Sequence, residues 1–272
     1  MPSAYKLLVM DVDGTLVDRE RRISARNASA LAAVRERGIK LTLASGRSFE
    51  SITPFAQAIG VDAPLILYNG CRLQDFATKR ILEDHRLPLI QAQRALQLLE
   101  RYDLHVNLYL YDRVFIREVT EAARASMKKD NVTAEPVGDL PAFLKDDPTK
   151  LLLIGKPAAL ARFRAEYLQG LSFPPELVAS EPDYLEILPA GVSKGAALVS
   201  LCSRLDILPQ EVVAFGDGLN DLEMLKCAGL GVAVANAHPE LKAAAGYVTA
   251  GNEEDGVAEA IEKFILTEGA VR

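Results

Sequence analysis

The sequence predicts an α/β protein with a doubly wound parallel sheet, into which a second domain of the α+β class is inserted. Three observations lead to this fold class. Short apolar segments alternate with helical segments up to about residue 70, and the same alternation returns after about residue 190. Such alternation is typical of parallel sheets with right-handed crossovers. Between these two parts the pattern changes to hairpins with interspersed helices, which is typical of an α+β domain.

The first wound part contains three apolar segments that predict buried strands, each followed by a polar turn. The predicted strands are residues 7–10, 39–44 and 64–68, and the helices between them are residues 25–37 and 49–59. We expect the three strands to be parallel, so that their ends at Asp11, Ser45 and Asn69 share one edge of the sheet. Open α/β sheets bind their ligands at this edge, and the functional site is therefore expected there.

The middle of the chain is assigned to a separate α+β domain, residues 83–188, which leaves residues 1–82 and 189–272 as the core. Residues 81–89 are expected to contain a strand and a crossing connection. The strands predicted after them are residues 105–111, 114–119, 132–137, 150–154, 177–180 and 184–188, and the helices are residues 91–102, 121–129 and 157–169. A loop is predicted over residues 139–147. The wound pattern then resumes with helices at 194–205, up to 228, 239–244 and 255–266, and strands at 211–215, 231–234 and 247–249.

Composition places the chain among ordinary globular proteins, with 49% hydrophobic and 25% charged residues in a length of 272. The net charge of −6 argues against a general nucleic-acid binder. Three widely spaced cysteines form neither a disulfide framework nor a Cys-x-x-Cys metal site. No signal peptide or apolar span of about 20 residues is present. We therefore expect a cytoplasmic protein without nucleic-acid or membrane partners.

Two carboxylates follow the first predicted strand, in the stretch Asp11-Val-Asp13-Gly14-Thr15. Two residues apart on an extended chain, they project to the same side. Two anions this close repel each other unless a cation lies between them, and oxygen ligands suit Mg²⁺. The alternative is a solvated Asp-Gly turn, but such a turn does not explain why Asp11 directly follows four apolar residues.

Three later stretches lie in similar positions, at strand ends or helix starts. Ser45 and the Gly46 turn offer a hydroxyl and amide groups to phosphate oxygens. Lys194 occupies the first turn of a predicted helix, which is an unfavourable place for a cation unless it points at an anion. Asp217 and Asp221 add two further carboxylates. These groups together indicate a phosphate site with a metal ion.

The four stretches occur together in the order typical of one enzyme family. They are Asp11-Val-Asp13-Gly14-Thr15, Ser45-Gly46-Arg47, Gly191-Val-Ser193-Lys194-Gly195 and Gly216-Asp217-Gly218-Leu-Asn220-Asp221. With these motifs the chain resembles the phosphatases of the haloacid dehalogenase superfamily, in their Cof-type branch, over essentially its whole length. The resemblance implies a Rossmann-like core with an inserted cap domain that determines substrate specificity.

The resemblance also implies a role for each matching residue. Asp11 is expected to be the nucleophile that forms an aspartyl-phosphate, and Asp13 the general acid and base. The expected Mg²⁺ ligands are Asp11, the backbone carbonyl of Asp13 and Asp217. Asp221 is expected to contact these ligands without binding the ion, or to bind it through a water molecule. The phosphoryl group and substrate are expected to contact Ser45, Gly46, Arg47 and Lys194, and Asn220 is expected to orient Lys194 or to bind phosphate. The alternative for Arg47 is a solvated residue at the helix start that makes ion pairs.

The spacing of the motifs locates the cap between the second and the third motif. Only 11 positions separate Asp13 from Ser24, whereas 149 separate Ser45 from Lys194. The expected function is Mg²⁺-dependent hydrolysis of small phosphorylated metabolites, either sugar phosphates or cofactor phosphates, by a monomer or weak homo-oligomer. A phosphomutase of the phosphomannomutase type is the alternative. A non-catalytic phosphate-binding module is a third possibility, but it would not need the acid–base residue Asp13.

Overall fold

A computed structural model describes residues 5–130 and 132–267. Its internal contacts divide the chain into two compact units. The first unit contains the described residues up to Glu83 and those from Ser193 onward, and the second unit is Asp84–Val192. The second unit begins one residue later and ends four residues later than the segment 83–188 assigned from the sequence.

The strands and helices of the described residues are numbered here in chain order. The strands are β1 (Leu7–Met10), β2 (Lys40–Leu43), β3 (Leu65–Leu67), β4 (Arg72–Gln74), β5 (Ile81–Asp84), β6 (His105–Leu110), β7 (Arg113–Ile116), β8 (Ala134–Pro136), β9 (Lys150–Ile154), β10 (Glu176–Glu181), β11 (Tyr184–Leu188), β12 (Val212–Gly216), β13 (Leu230–Ala233) and β14 (Tyr247–Val248). The helices are α1 (Ala25–Glu36), α2 (Phe49–Ile59), α3 (Leu89–Leu99), α4 (Glu121–Asp130), α5 (Leu140–Phe143), α6 (Pro157–Leu168), α7 (Lys194–Leu205), α8 (Leu222–Cys227), α9 (Pro239–Ala244) and α10 (Gly256–Ile261). None of these helices is long and apolar enough to cross a membrane.

The first unit is built on a five-stranded parallel sheet in the order β14-β13-β12-β1-β2. All four residues of β1 are buried because helices cover both faces of the sheet. Leu7 and Val9 belong to the apolar cluster that includes α7 and α8, and the alternate residues of β1 face the other side. The α/β class and the wound parallel sheet predicted from the sequence are confirmed.

The third predicted strand runs parallel to β2, as expected, but is joined to it by a bridge rather than by a continuous ladder. β3 also pairs antiparallel with β4 in a small sheet of order β3-β4-β5. The chain reverses at Tyr68–Gly70, and β4, which the sequence pattern did not reveal, folds back onto β3. A single parallel bridge between Ala44 and Ile66 still holds β3 beside the end of β2.

The second unit contains a six-stranded sheet in the order β10-β11-β9-β6-β7-β8. All its pairs are antiparallel except β7 with β8. Tyr111 and Asp112 form the β6–β7 turn with positive φ angles, as tight hairpins require. The predicted loop over residues 139–147 contains the short helix α5, which Asp139 caps by accepting a bond from the Ala142 amide.

Candidate active site

The site lies in the first unit, where Asp11 directly follows β1. Asp11 is buried, and its Oδ1 accepts a hydrogen bond of 2.6 Å from Lys194 Nζ. Lys194 Nζ also donates to Asp221 Oδ1 at 2.7 Å. Ser193 caps α7 by accepting a bond from the Ala196 amide, and this places Lys194 at the first helical position. The lysine side chain is fully buried, so it contacts two anions and no solvent.

A tight loop after β12 supplies the other two carboxylates. Asp221 Oδ2 accepts hydrogen bonds of 3.0 Å from the amides of Asp217 and Gly218. Both oxygens of Asp221 are thus engaged, one by the lysine and one by the backbone. Asp217 Oδ1 accepts a bond of 2.9 Å from the Thr15 hydroxyl. The loop is therefore held in shape by the same side chains that carry its charge.

Gly14 allows the first motif to lie directly against Asp217. Its φ is +80°, which side chains rarely adopt, and an added Cβ would overlap the Asp217 carboxylate. The turn that carries Asp13 to Thr15 therefore requires glycine at this position.

The acidic cluster is defined as Asp11, Asp217 and Asp221, and burial is the largest influence on the pKa of the first two. Burial raises the pKa of Asp11 well above its usual value; Lys194 opposes this shift, and the neighbouring carboxylates add to it. Burial and the Asp221 charge raise the pKa of Asp217 to about 6, against the Thr15 hydrogen bond that lowers it. Burial alone would lower the pKa of Lys194, but Asp11 and Asp221 outweigh it and raise that pKa.

The acidic cluster has the composition of a divalent cation site. Each of its three residues offers a carboxylate oxygen, and these oxygens lie within 4.8 Å of one another. When all three are ionised, Lys194 compensates only one of three negative charges. Two uncompensated charges at buried positions are costly unless a cation neutralises them. Hard oxygen donors of this kind suit Mg²⁺.

Asp13 has surroundings quite unlike those of Asp11. Its carboxylate accepts two hydrogen bonds of 2.6 Å from Arg47, one from Nε and one from an Nη atom. Arg47 is itself held, since it donates to Ser51 Oγ at 2.7 Å and lies over the Phe55 ring. Bidentate pairing of this kind fixes the orientation of both planar groups. The sequence assigned Arg47 to phosphate or substrate, whereas in the structure its guanidinium contacts the first motif.

The remaining predicted phosphate-binding residues lie in the same unit. Ser45 is buried at the end of β2, and its Oγ accepts a bond of 3.3 Å from the Arg47 amide. Gly46 is half-buried beside it. Asn220 was expected to orient Lys194 or the phosphate; its Nδ2 donates to Asn69 Oδ1 at 3.0 Å, while Lys194 contacts two carboxylates.

Asn236 and Asn252, which the sequence did not assign to the site, connect its loops through hydrogen bonds. Asn236 Nδ2 donates to the Gly14 carbonyl at 2.8 Å, and Asn236 Oδ1 accepts from the Asn252 amide. Asn252 Nδ2 donates to the Val17 carbonyl at 2.9 Å. Asn69, treated as a strand-ending turn in the sequence, contacts Asn220 directly. The sequence placed Asn69 at the sheet edge where the site was expected, as the end of the third predicted strand.

Comparisons with known proteins agree with this fold and site. A family model described as haloacid dehalogenase-like hydrolase matches residues 8–261. The chain is 30% identical to pyridoxal phosphate phosphatase YbhA of Escherichia coli K12, over 96% of this chain and 99% of that protein. It is 32% identical to the HMP-PP phosphatase of Escherichia coli O8, over 88% and 87%.

A solved structure gives the same result. A haloacid dehalogenase-like hydrolase from Bacteroides thetaiotaomicron superposes with a TM-score of 0.86 at 32% identity, covering 95% of this chain and 99% of that one. The wound parallel sheet with carboxylates and a lysine at its strand ends thus agrees with a hydrolase of the α/β fold class. The chain belongs to the haloacid dehalogenase-like hydrolase family, in its Cof-type branch. As the motifs predicted, it is an enzyme of the phosphoric monoester hydrolase class.

Proposed function

We propose that this phosphatase uses Mg²⁺ to hydrolyse small phosphorylated metabolites through an aspartyl-phosphate on Asp11. The observation that carries the proposal is the joint placement of Lys194 against Asp11 and of three carboxylates within 4.8 Å. This arrangement gathers a nucleophile, a fixed positive charge and oxygen ligands for a cation in one buried place.

Asp11 acts as the nucleophile in the proposed reaction. One of its carboxylate oxygens attacks phosphorus, and the bond from phosphorus to the ester oxygen breaks. Lys194 contacts Oδ1 of Asp11 and so fixes the rotation of the carboxylate before the substrate binds. The buried ammonium also favours the ionised form of Asp11, which is the form that can attack.

Asp13 acts as the general acid and then as the general base in the proposed reaction. In the first half-reaction it gives a proton to the leaving alkoxide, and in the second it takes one from the water that attacks phosphorus. The bond between Asp11 and phosphorus then breaks, and orthophosphate leaves. Because the Asp13 side chain is 47% exposed, it can exchange protons with water, which a fully buried acid cannot do readily.

Four further groups in the same unit are proposed to bind the phosphoryl oxygens. They are the Ser45 hydroxyl, the Gly46 amide, Lys194 and Asn220. A preorganised set of donors stabilises the charge that builds up on these oxygens in the transition state. Arg47 belongs to the site through its contact with Asp13.

Asp11, the backbone carbonyl of Asp13 and Asp217 are proposed to hold Mg²⁺, with Asp221 supporting them. Bound there, the ion would neutralise the carboxylates and polarise the phosphoryl group. Asp221 fits a supporting role because its oxygens already accept bonds from Lys194 and two amides. Thr15 restricts the rotation of Asp217 and so helps to keep its carboxylate turned towards the cluster.

The substrate is proposed to be a small phosphorylated cofactor or sugar. Relatives at 30% and 32% identity are a pyridoxal phosphate phosphatase and an HMP-PP phosphatase, which points to cofactor phosphates first. All residues proposed for the chemistry lie in the first unit. We propose that the second unit, Asp84–Val192, is the cap domain that selects the substrate.

The proposal is tested by a screen of phosphorylated metabolites, including pyridoxal phosphate and glucose 1-phosphate, with Mg²⁺ and with EDTA. We expect release of orthophosphate from one group of substrates and its loss in EDTA. Asp11→Asn, assayed in parallel, should release at least about 10⁴-fold less orthophosphate per unit time. Conversion of glucose 1-phosphate into glucose 6-phosphate would favour the mutase instead. Full turnover in EDTA would refute the role of the metal ion.

A further inference from the structure

The turn Tyr68–Gly70 holds three consecutive residues with left-handed backbone angles. Their φ values are +51° at Tyr68, +56° at Asn69 and +102° at Gly70. A residue other than glycine costs about 1 kcal/mol or more in this region, and such residues cluster at functional sites. Glycine occupies only the third position, so the turn carries two side chains at positions where glycine would be less strained.

This turn contacts segments that carry the second, third and fourth motifs. The Asn69 amide donates to the Ser45 carbonyl at 2.9 Å, and the Tyr68 amide donates to the Arg47 carbonyl at 3.2 Å. Gly70 lies directly against the backbone of Ser193, the residue before Lys194, where an added Cβ would overlap the Ser193 carbonyl. Asn69 Oδ1 accepts the Asn220 side chain at 3.0 Å.

The Asn220 amide group has close neighbours on two sides. Its Nδ2 is held by Asn69, and its Oδ1 lies so close to Gly218 that a Cβ there would overlap it. Of these two contacts, the hydrogen bond to Asn69 is the one that orients the amide, while Gly218 leaves room for it. Asn69 itself is 2% exposed, so its oxygen is a buried acceptor for which solvent does not substitute.

We propose that Asn69 is a positioning residue, which orients Asn220 towards the phosphoryl group through its side chain and supports the Ser45 segment through its backbone. The inference rests on the proposed function of Asn220 as a phosphoryl ligand. A purely conformational role would need only a residue that tolerates a left-handed backbone. Glycine meets that need as well as asparagine does, so the Asn69 side chain explains the choice of residue only if its oxygen is used.

The test is a double-mutant cycle with Asn69→Gly, Asn220→Ala and the double variant. Asn69→Gly keeps the left-handed backbone and removes the side chain that carries the acceptor oxygen. The matched control is Lys79→Gly, which also replaces a left-handed residue (φ +60°) in the same unit, at an exposed turn. For each variant we measure kcat and KM with p-nitrophenyl phosphate, orthophosphate affinity by calorimetry, and the thermal midpoint.

We expect Asn69→Gly to lower kcat/KM and orthophosphate affinity about five- to tenfold, the usual effect of one hydrogen bond. Its thermal midpoint should fall by a few degrees at most, because relief of backbone strain partly offsets the loss of the buried side chain and its hydrogen bond. The double variant should lose no more than Asn220→Ala alone, and Lys79→Gly should match the wild type. Additive losses in the cycle, or unchanged affinity in Asn69→Gly, would overturn the inference.

The same measurements distinguish a failure of the proposed phosphatase function from a failure of the positioning role of Asn69. If the wild type hydrolyses phosphate esters and the cycle is additive, the proposed function stands and the positioning role falls. If the wild type binds orthophosphate without hydrolysing any ester, the proposed function falls, and the cycle in orthophosphate affinity still decides the role of Asn69. A wild type that neither hydrolyses esters nor binds orthophosphate refutes both.

Discussion

Asp11 and Asp13 are two residues apart, yet their surroundings differ in every respect that matters for chemistry. The Asp11 side chain is 9% exposed, contacts a buried lysine and shares its site with two other carboxylates. The Asp13 side chain is 47% exposed and pairs with one arginine. Val12 between them is fully buried, and Gly14 turns the chain immediately afterwards.

The difference shows how one short segment can supply two separate functions. A nucleophile needs a fixed orientation and a nearby positive charge, both of which Lys194 provides for Asp11. An acid–base group needs access to solvent protons, and the exposure of Asp13 provides that access. Substitutions that remove one property at a time therefore test whether the two carboxylates have the separate roles proposed here.

Asp11→Asn should have the largest effect, because an amide is a far poorer nucleophile than a carboxylate. We expect kcat to fall by about 10⁴- to 10⁶-fold with every substrate, the usual loss for a removed nucleophile. The measurement is orthophosphate release under saturating substrate and Mg²⁺. Turnover close to that of the wild type would mean that no covalent intermediate forms on Asp11.

Asp13→Asn should have a smaller effect that depends on the leaving group. For an alkyl phosphate, whose alkoxide needs a proton, we expect about a 10²- to 10⁴-fold lower kcat. For p-nitrophenyl phosphate, whose leaving group is stable as an anion, the first step should be much less affected. Equal losses with both substrates would assign Asp13 to a role other than proton donation to the leaving group.

The placement of the motif residues at strand ends and helix starts could be predicted from the sequence, because each placement follows from a local sequence pattern. The apolar run before Asp11 predicts a buried strand, and Ser193 predicts the helix start that carries Lys194. Parallel strands then bring such ends to one edge. Thus the convergence of Asp11, Lys194, Asp217 and Asp221 follows from the wound topology, and the structure places them together.

What the sequence could not reveal depends on tertiary contacts between side chains. Arg47 was assigned to an anion, but which anion depends on its side-chain path past Ser51 and Phe55. The reversal at Tyr68 depends on left-handed angles that no sequence pattern specifies for tyrosine. The pairing of β4 with β3 followed from that reversal and was missed with it.

Asp217→Asn tests the electrostatic cost of the acidic cluster, measured as a change in the free energy of unfolding with pH. Without a bound cation, burial and the Asp221 charge raise the folded-state pKa of Asp217 to about 6 from an ordinary value of 3.8. The folded protein thus binds the proton more tightly than the unfolded chain. The ionised carboxylate therefore lowers stability progressively between about pH 4 and pH 6, and the cost is fully present above pH 6.

The variant lacks this cost, so at pH 7 in EDTA it should be more stable than the wild type by on the order of 2 kcal/mol. That corresponds to roughly 4 to 8 °C in the thermal midpoint. The difference should shrink towards pH 4, and Mg²⁺ should raise the midpoint of the wild type more than that of the variant. A constant difference from pH 4 to pH 7 would contradict the assigned cause.

Arg47→Lys makes the smallest change and addresses only the Asp13 side of the comparison. Lysine keeps the positive charge but cannot form the bidentate ion pair. Asp13 would therefore gain rotational freedom while a positive charge remains beside it. We expect roughly a five- to tenfold lower kcat with an alkyl phosphate, about the value of one hydrogen bond. KM should change little, because Arg47 contacts Asp13 in the resting protein and its loss affects the orientation of the acid.

A comparison of substrates with different leaving groups distinguishes two roles for Arg47, orientation of Asp13 and binding of the phosphoryl group. If Arg47 acts through Asp13, Arg47→Lys should leave the cleavage of p-nitrophenyl phosphate nearly unchanged, and it should add no loss in an Asp13→Asn background. If Arg47 instead binds the phosphoryl group, KM should rise with both substrates and the loss should persist in that background. The second pattern would assign the guanidinium to the substrate, as its place in the second motif predicts, and would leave the exposed Asp13 to be oriented by solvent alone.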